Sequence, residues 1–172
     1  MEQVTEQLID DHAALDKVLK QLQTALLRSD LETAQAKLDL FWARLAVHIR
    51  AEHLHLFPTV LAKFDEAETL IAELRRDHDF FMYELARAIE IMRKLSTSLE
   101  HPILNAELDN VKNIVSEVEQ RLLKHNEMEE TQIYRWATTL LNSEEQAQLG
   151  NQITTELRKH PPRFTLSTWL DE

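Results

Sequence analysis

The sequence contains no cysteine, one glycine and four prolines among its 172 residues. Without cysteine there is no disulfide, redox thiol or iron–sulfur cluster, so any bound metal must be held by nitrogen and oxygen atoms. The scarcity of glycine and proline leaves few turn signals, while Leu, Ala, Glu and Lys recur in helical period to about residue 159. This composition predicts one all-α domain.

Long apolar runs and an excess of basic residues are also missing. No stretch approaches the ~20 apolar residues that span a bilayer, and the charged N-terminus does not resemble a secretion signal, so we expect a cytoplasmic protein with no membrane partner. The net charge of −11 and the scattered Lys and Arg residues would repel phosphate backbones. Nucleic acid is therefore not an expected partner.

Four successive amphipathic segments carry polar residues at positions where an apolar side chain is expected. Burying an imidazole or a carboxylate without a partner costs roughly 2–7 kcal/mol, so several on inward seams imply a compensating charge. A metal pair is the natural compensator. The six candidate ligands are His12, His48, Glu52, His78, His125 and Glu129.

An internal repeat and the turn positions place these ligands at one level. LIDDHAAL around His12 matches LRRDHDFF around His78, and HIRAEHLHLFP from His48 matches HNEMEETQIYRW from His125. Each half therefore offers one lone histidine and one His-x-x-x-Glu, whose i, i+4 spacing stacks both side chains on one helix face. Ligands flanking each turn lie at similar distances from it, so an up-down antiparallel four-helix bundle brings all of them into one layer.

Local signals predict where the helices begin and end. Ser29-Asp30 provides a turn with N-cap chemistry, and Pro58 is expected to bend or shorten the second helix. Asp65 is expected to cap the third helix, and His101-Pro102 to lie near the start of the fourth.

The C-terminal region is predicted to be separate from the bundle. We assign residues 1–142 to the bundle and 143–172 to a short fifth helix, beginning at Ser143 and breaking at His160-Pro161-Pro162, and a tail. The tail is too apolar for a free end, so it docks on the bundle or on a second subunit, and we favour a homodimer. Its apolar residues are Phe164, Leu166, Trp169 and Leu170.

Four imidazoles and two carboxylates suit two ions, each with two nitrogens and shared bridging carboxylates. Iron, zinc and manganese all accept such donors, but a protein that leaves coordination positions open is typical of non-haem iron that binds oxygen species. Metal affinity should fall below about pH 6, since the ligands must be deprotonated. Apolar residues three positions from a ligand should form a dry wall; they are Leu15, Leu45, Phe81 and Leu122.

At these residues the sequence resembles the hemerythrin-like, HHE cation-binding domain family, over about residues 5–140. All six positions match the family pattern, as does HLFP at His55 to Pro58. The resemblance implies a hemerythrin-like bundle holding two iron ions, joined by an oxo or hydroxo bridge. Oxygen-carrying members have a second histidine four residues after the one that matches His78, where this chain has Met82. They also have an aspartate five residues after the histidine that matches His125, where this chain has Glu130. Glu130 therefore competes with Glu129 as the bridge, and repeat symmetry favours Glu129.

The leading hypothesis is a di-iron protein that binds oxygen, nitric oxide or peroxide for sensing, scavenging or delivery, rather than an enzyme. Iron storage or donation to damaged iron–sulfur centres, and catalytic reduction of nitric oxide or peroxide, stay open as alternatives. Repair-type members usually carry an N-terminal domain containing cysteines, and the absence of cysteine here disfavours that alternative.

Residues beside the ligands have alternative interpretations. His53 and His55 are expected at the surface or hydrogen-bonded around the site, and Asp11 and Asp77 could bond an imidazole on an adjacent helix, although solvated acids are commoner. Four aromatic residues are interpreted as packing rather than as an electron path; they are Trp42, Phe80, Tyr83 and Trp136.

Overall fold

The computed structural model describes residues 4–97 and 101–159, and regular structure in these residues is helical, with no strand. This confirms the all-α class. The α-helices are α1 (Glu6–Leu27), α2 (Leu31–Ala51), α3 (Phe57–Lys63), α4 (Glu68–Leu95), α5 (His101–Met128), α6 (Tyr134–Leu140) and α7 (Ser143–Leu157). No helix in the described ranges is long and apolar enough to cross a membrane.

Two π-helical segments interrupt the α-helices without ending them. Glu52–Leu56 joins α2 to α3, and Glu129–Ile133 joins α5 to α6, so each pair runs on as one helical stretch. Pro58 does not shorten the helical stretch, because helical structure continues past it to Lys63. Pro58 lies at the N-terminus of α3, directly after the π segment, where its lack of an N–H is tolerated.

The turn between α1 and α2 matches its sequence signal. Ser29 adopts a φ of 56°, and the Asp30 side chain accepts a hydrogen bond from the Thr33 N–H at 3.2 Å. The positive φ at Ser29 reverses the chain within two residues, and the Asp30 carboxylate satisfies a free donor of the first turn of α2.

The cap predicted at Asp65 is wrong. Asp65 opens a 3₁₀ turn, Asp65–Ala67, and neither that turn nor α4 has a side-chain cap. Helix α7 begins at Ser143, as predicted, and its N-cap is Asn142, in a reciprocal capping box with Glu145.

The helices pack mainly as α1 on α2, α4 on α5 and α2 on α4, and α1 also contacts α5. Their buried faces form two apolar clusters. One includes Leu22, Leu38, Met92 and Val111. The other includes Leu8, Val60, Leu74, Ala137 and Ile153. On each long helical stretch the candidate ligands lie between residues of the first cluster and residues of the second. The polar residues therefore share one layer across the bundle.

Helix α7 packs on α2 and on the first π segment, and an ion network at Glu156 holds it there. Glu156 is 3% exposed and accepts hydrogen bonds from Arg50 at 2.6 Å, Lys159 at 2.8 Å and His55 at 3.4 Å. Burial raises the pKa of Glu156, but the hydrogen bonds from Lys159, His55 and Arg50 outweigh it, so its pKa lies below the usual value. The C-terminal helix therefore braces the helical stretch, α2 and the π segment after it, that carries His48 and Glu52.

Glu156→Gln should lower the free energy of unfolding by about 2 kcal/mol at pH 7, because charge-assisted hydrogen bonds are lost from a buried site. Since the carboxyl pKa is depressed on folding, its stabilisation is present above about pH 4.3 and is lost as the pH falls below that value. Urea denaturation at pH 7 and pH 3 measures both effects. Glu144→Gln, an exposed change on the same helix, is the control; equal losses in both variants would contradict the network's role.

The predicted break at His160-Pro161-Pro162 and the apolar tail lie outside the described residues. The division at residue 142 also stays a prediction.

Candidate metal centre

The structure brings the six candidate ligands into one buried layer. Donor atoms within 4.8 Å of one another form two overlapping groups that share Glu129. The first contains His12, His48, Glu52 and Glu129, and the second contains His78, His125 and Glu129. All six side chains are nearly inaccessible, with exposed fractions of 6% for His12, 2% for His48, 0% for Glu52 and 1% for His78, His125 and Glu129.

The imidazoles face one another in two pairs. In the first pair, His12 Nε2 lies 3.1 Å from His48 Nε2; in the second pair, His78 Nε2 lies 3.0 Å from His125 Nε2. Each pair joins a lone histidine of one helix to the His-x-x-x-Glu histidine of another. The inner nitrogens therefore converge from all four long helical stretches.

The outer nitrogens of the two His-x-x-x-Glu histidines bond aspartates. His48 Nδ1 lies 2.9 Å from Asp11 Oδ2, and His125 Nδ1 lies 3.0 Å from Asp77 Oδ2. The preference for Asp11 and Asp77 as solvated acids is therefore wrong. Each aspartate also accepts from an arginine one turn before the histidine; these are Arg44 and Arg121.

The lone histidines are held by the residue that follows each glutamate of the repeat. His12 Nδ1 lies 3.0 Å from Glu130 Oε1, and His78 Nδ1 lies 2.8 Å from His53 Nε2. Burial lowers the pKa of His53, so its Nε2 is available as an acceptor. His53 therefore orients the candidate ligand His78. Glu130 bonds the outer nitrogen of His12, whereas Glu129 lies among the inner nitrogens of the layer.

With its outer N–H donated outward, a neutral imidazole presents a lone pair inward. Two lone pairs about 3 Å apart repel unless a cation lies between them. The outer contacts therefore aim four imidazole lone pairs at the centre of the layer, which is the orientation that metal-binding histidines require.

The two glutamates span both imidazole pairs. Glu52 Oε1 lies 2.5 Å from His48 Nε2, and Glu52 Oε2 lies 3.6 Å from His78 Nε2. Glu129 Oε1 contacts His125 Nε2 and lies 4.0 Å from His78 Nε2. Glu52 Oε2 is buried and has no hydrogen-bond partner, while the buried Glu129 Oε1 meets only imidazole nitrogens of the same layer. A buried carboxylate oxygen without a donor is what a bound cation would satisfy.

The electrostatics of the layer favour positive charge. Burial lowers the pKa of His48, but neighbouring carboxylates, first that of Glu52, raise it well above the usual value. For His125 burial is again outweighed, chiefly by Glu129, and the pKa is raised to about 10. Burial and the neighbouring imidazoles hold the pKa of His78 well below its usual value, with Glu52 opposing them. The two carboxylates therefore favour positive charge on His48 and His125, and a bound cation would supply positive charge at the same place.

Tyr134 also enters the layer, and the sequence interpretation missed it. Its hydroxyl lies 2.9 Å from Glu52 Oε1 and 3.0 Å from Glu129 Oε2. Burial raises the pKa of Tyr134 well above its usual value, and the charges of the two glutamates add to the effect. Tyr134 follows Glu129 by five residues. In an α-helix two residues five apart lie on different faces, but the i→i+5 bonding of the π segment places them on the same face. The signal that could have found it is the repeat, which aligns Tyr134 with Phe57.

Apolar side chains close the layer on one side, as predicted. Leu15, Leu45, Phe81 and Leu122 are all buried and belong to one cluster. The Phe81 ring meets His125 edge-on, with 5.2 Å between ring centroids. Water is thereby excluded from one face of the candidate site, which strengthens its electrostatic interactions.

The other aromatic residues lie outside the donor layer. Trp42 is buried in the core, Phe80 packs against that core, and Trp136 meets Phe64 edge-on. These positions agree with packing roles. Tyr83 is 61% exposed and does not pack in the core.

Comparison with protein families identifies the chain from this pattern. The hemerythrin HHE cation binding domain matches residues 3–137. The chain belongs to this family. A search of curated proteins and a search of solved structures each found no match. The family assignment and the buried His/Glu cluster together support cation binding in a hemerythrin-like helical bundle.

In this HHE domain, Asp11→Asn and Asp77→Asn should each weaken metal binding by about 10–100-fold, because an amide orients the imidazole less strongly and lowers its basicity. Competition with a chromophoric chelator measures the affinity. Asp16→Asn, which alters an exposed pair with Lys20 on the same helix as Asp11, is the matched control. An Asp11 variant with the affinity of the Asp16 variant would show that the contact to His48 does not tune the site.

Proposed function

We propose that this chain holds two iron ions and binds a small ligand, oxygen, nitric oxide or peroxide, for sensing, scavenging or delivery. The observation that carries the proposal is the presence of two imidazole pairs spanned by two buried glutamates. The inner nitrogens are 3.1 Å apart in the first pair and 3.0 Å apart in the second. Two nitrogens for each ion and two carboxylates between them suit a di-iron centre with an oxo or hydroxo bridge.

The protein's own residues would bind, orient and shield the ions. His12 and His48 would hold one ion, His78 and His125 the other, and Glu52 and Glu129 would link them through oxygens that face both pairs. Such a donor set leaves coordination positions open on each ion. When bound, the ions would use these positions to take up an external ligand. The dry wall would restrict the approach of water more than that of small apolar molecules such as oxygen and nitric oxide.

We propose the architecture behind this function as an antiparallel up-down bundle of four long helical stretches within residues 1–142. Short connections between neighbouring stretches and the shared level of the candidate ligands support it. Residues 143–172 would form the C-terminal extension, in which α7 braces the bundle and the apolar tail pairs two copies. Sedimentation of the full chain against a chain ending at residue 159 tests the pairing.

Metal analysis combined with an optical spectrum, before and after azide, tests the proposed function. Protein reconstituted with ferrous iron without oxygen and then oxidised should retain about two ions per chain. Azide should add a ligand-to-iron band. His78→Gln should lose iron, whereas His55→Gln, which changes a histidine bonded to Glu156, should keep it. Iron far below two per chain in the wild type, or an azide band that survives in His78→Gln, would overturn the proposal.

The alternatives give different results in the same preparation. Reversible ligand binding predicts bands that appear with oxygen and vanish on degassing, with no loss of iron. Donation predicts transfer of iron to an apo iron–sulfur acceptor, and catalysis predicts repeated turnover when a reductant is supplied. Absorption combined with iron content after each treatment therefore separates binding from the other two.

A further inference from the structure

The two halves of the internal repeat differ by one oxygen atom in the buried layer. Tyr134 follows His125 by nine residues, and Phe57 follows His48 by nine residues, so the two aromatic residues are equivalent in the repeat. Tyr134 stacks on His12 with ring centroids 5.6 Å apart, and Phe57 stacks on His78 at 6.0 Å. Each ring therefore covers a lone histidine, but only one carries a hydroxyl.

That hydroxyl lies among the donor atoms of the first imidazole pair. Tyr134 Oη is 2.9 Å from Glu52 Oε1, 3.0 Å from Glu129 Oε2, 3.2 Å from His12 Nε2 and 3.4 Å from His48 Nε2. The phenol has one proton to offer to two carboxylate oxygens, and two imidazole nitrogens lie within 3.4 Å of the same oxygen. Neighbouring donors on an octahedral ion with bonds of about 2.1 Å lie about 3.0 Å apart, which is close to these separations.

The second imidazole pair has no such oxygen. Phe57 is fully buried and offers only its ring face to His78. The two halves therefore present unequal donor sets, five protein atoms around the first pair and fewer around the second. An ion with fewer protein donors keeps more positions for an external ligand.

We infer that Tyr134 is a fifth protein ligand at the first imidazole pair, where its phenol releases its proton to solvent and binds through the oxygen, and that the external ligand binds at the second pair beside Phe57. This inference rests on the proposed di-iron function and adds what the six-residue pattern does not specify. The two metal positions are thereby distinguished, one closed by Tyr134 and the other open.

A ferric ion bound by a tyrosine oxygen has a visible charge-transfer band and tyrosine ring vibrations in the resonance Raman spectrum. The chain has two tyrosines, Tyr83 and Tyr134, and Tyr83 is exposed and lies outside the buried layer. Ferric-loaded wild type and Tyr83→Phe should show these vibrations, and Tyr134→Phe should lose them. Tyr134→Phe should also weaken binding of one ion by about tenfold or more while leaving the other unchanged.

Azide locates the open position. Since azide is expected at the second pair, Tyr134→Phe should still bind it wherever the second ion is retained. The inference would be overturned if no ferric-loaded protein showed tyrosine vibrations, or if Tyr134→Phe showed them as the wild type does. A measured content of two ions would still leave the di-iron proposal standing. If the wild type bound no iron, the proposed function itself would fail, and with it the inference. Circular dichroism confirms that each variant is folded.

Discussion

Removing the metal is expected to lower the melting temperature of this protein by about 8–16 °C at pH 7. A ligand present at about 1,000 times its dissociation constant stabilises the folded state by about 4 kcal/mol, and each kcal/mol is about 2–4 °C for a chain of this size. The physical source is the buried layer, where two carboxylates lie beside four imidazoles and Glu52 Oε2 has no hydrogen-bond partner. Calorimetry of the metal-loaded protein before and after treatment with a chelator measures the shift.

The size of this shift should depend on pH. In the metal-free protein the raised pKa of His125, about 10, means that its proton stabilises the fold fully below about pH 6.5, the usual value. That stabilisation is lost as the pH rises through about 10. Metal and protons compete for the same nitrogens, so chelation should lower the melting temperature more at pH 9 than at pH 6. A melting temperature unchanged by chelation at both pH values would count against the metal site.

Replacing both bridging candidates, in the double variant Glu52→Gln with Glu129→Gln, should abolish binding of both ions, with a loss in affinity of more than about 100-fold. The change removes both carboxylate charges and leaves imidazoles and a phenol oxygen as the remaining candidate ligands. The metal-free variant should remain folded, since buried charges are replaced by amides of similar shape. Metal content after gel filtration and circular dichroism measure the two outcomes.

A charge-matched double variant controls this experiment. Glu73→Gln with Glu144→Gln removes the same charge from two exposed positions. It should bind two ions like the wild type. Full metal binding by the Glu52 and Glu129 variant would show that these carboxylates do not link the ions.

The sequence predicts the helices and the polar layer well because both depend on simple periodicity. Ligands at i and i+4 on apolar stripes must share a helix face, so spacing alone places His48 with Glu52, and His125 with Glu129. The apolar stripes at helical period likewise make the all-α class a direct consequence of the sequence.

The missed features depend on departures from that periodicity. The π segments, each beginning at a glutamate of the layer, are not visible in a 3.6-residue pattern, and they bring Tyr134 into the site. The bonds from Asp11 and Asp77 to imidazoles depend on the relative rotation of neighbouring helices, which one-helix patterns do not contain. Asp65 fails as a cap because a 3₁₀ turn precedes α4.

Anomalous diffraction at the iron edge, from a crystal of the iron-loaded protein, would locate the bound ions. We expect two peaks within the bundle, one beside the inner nitrogens of His12 and His48 and one beside those of His78 and His125. Glu52 and Glu129 should contact both peaks. A single surface peak, or no peak in the layer, would contradict the di-iron proposal.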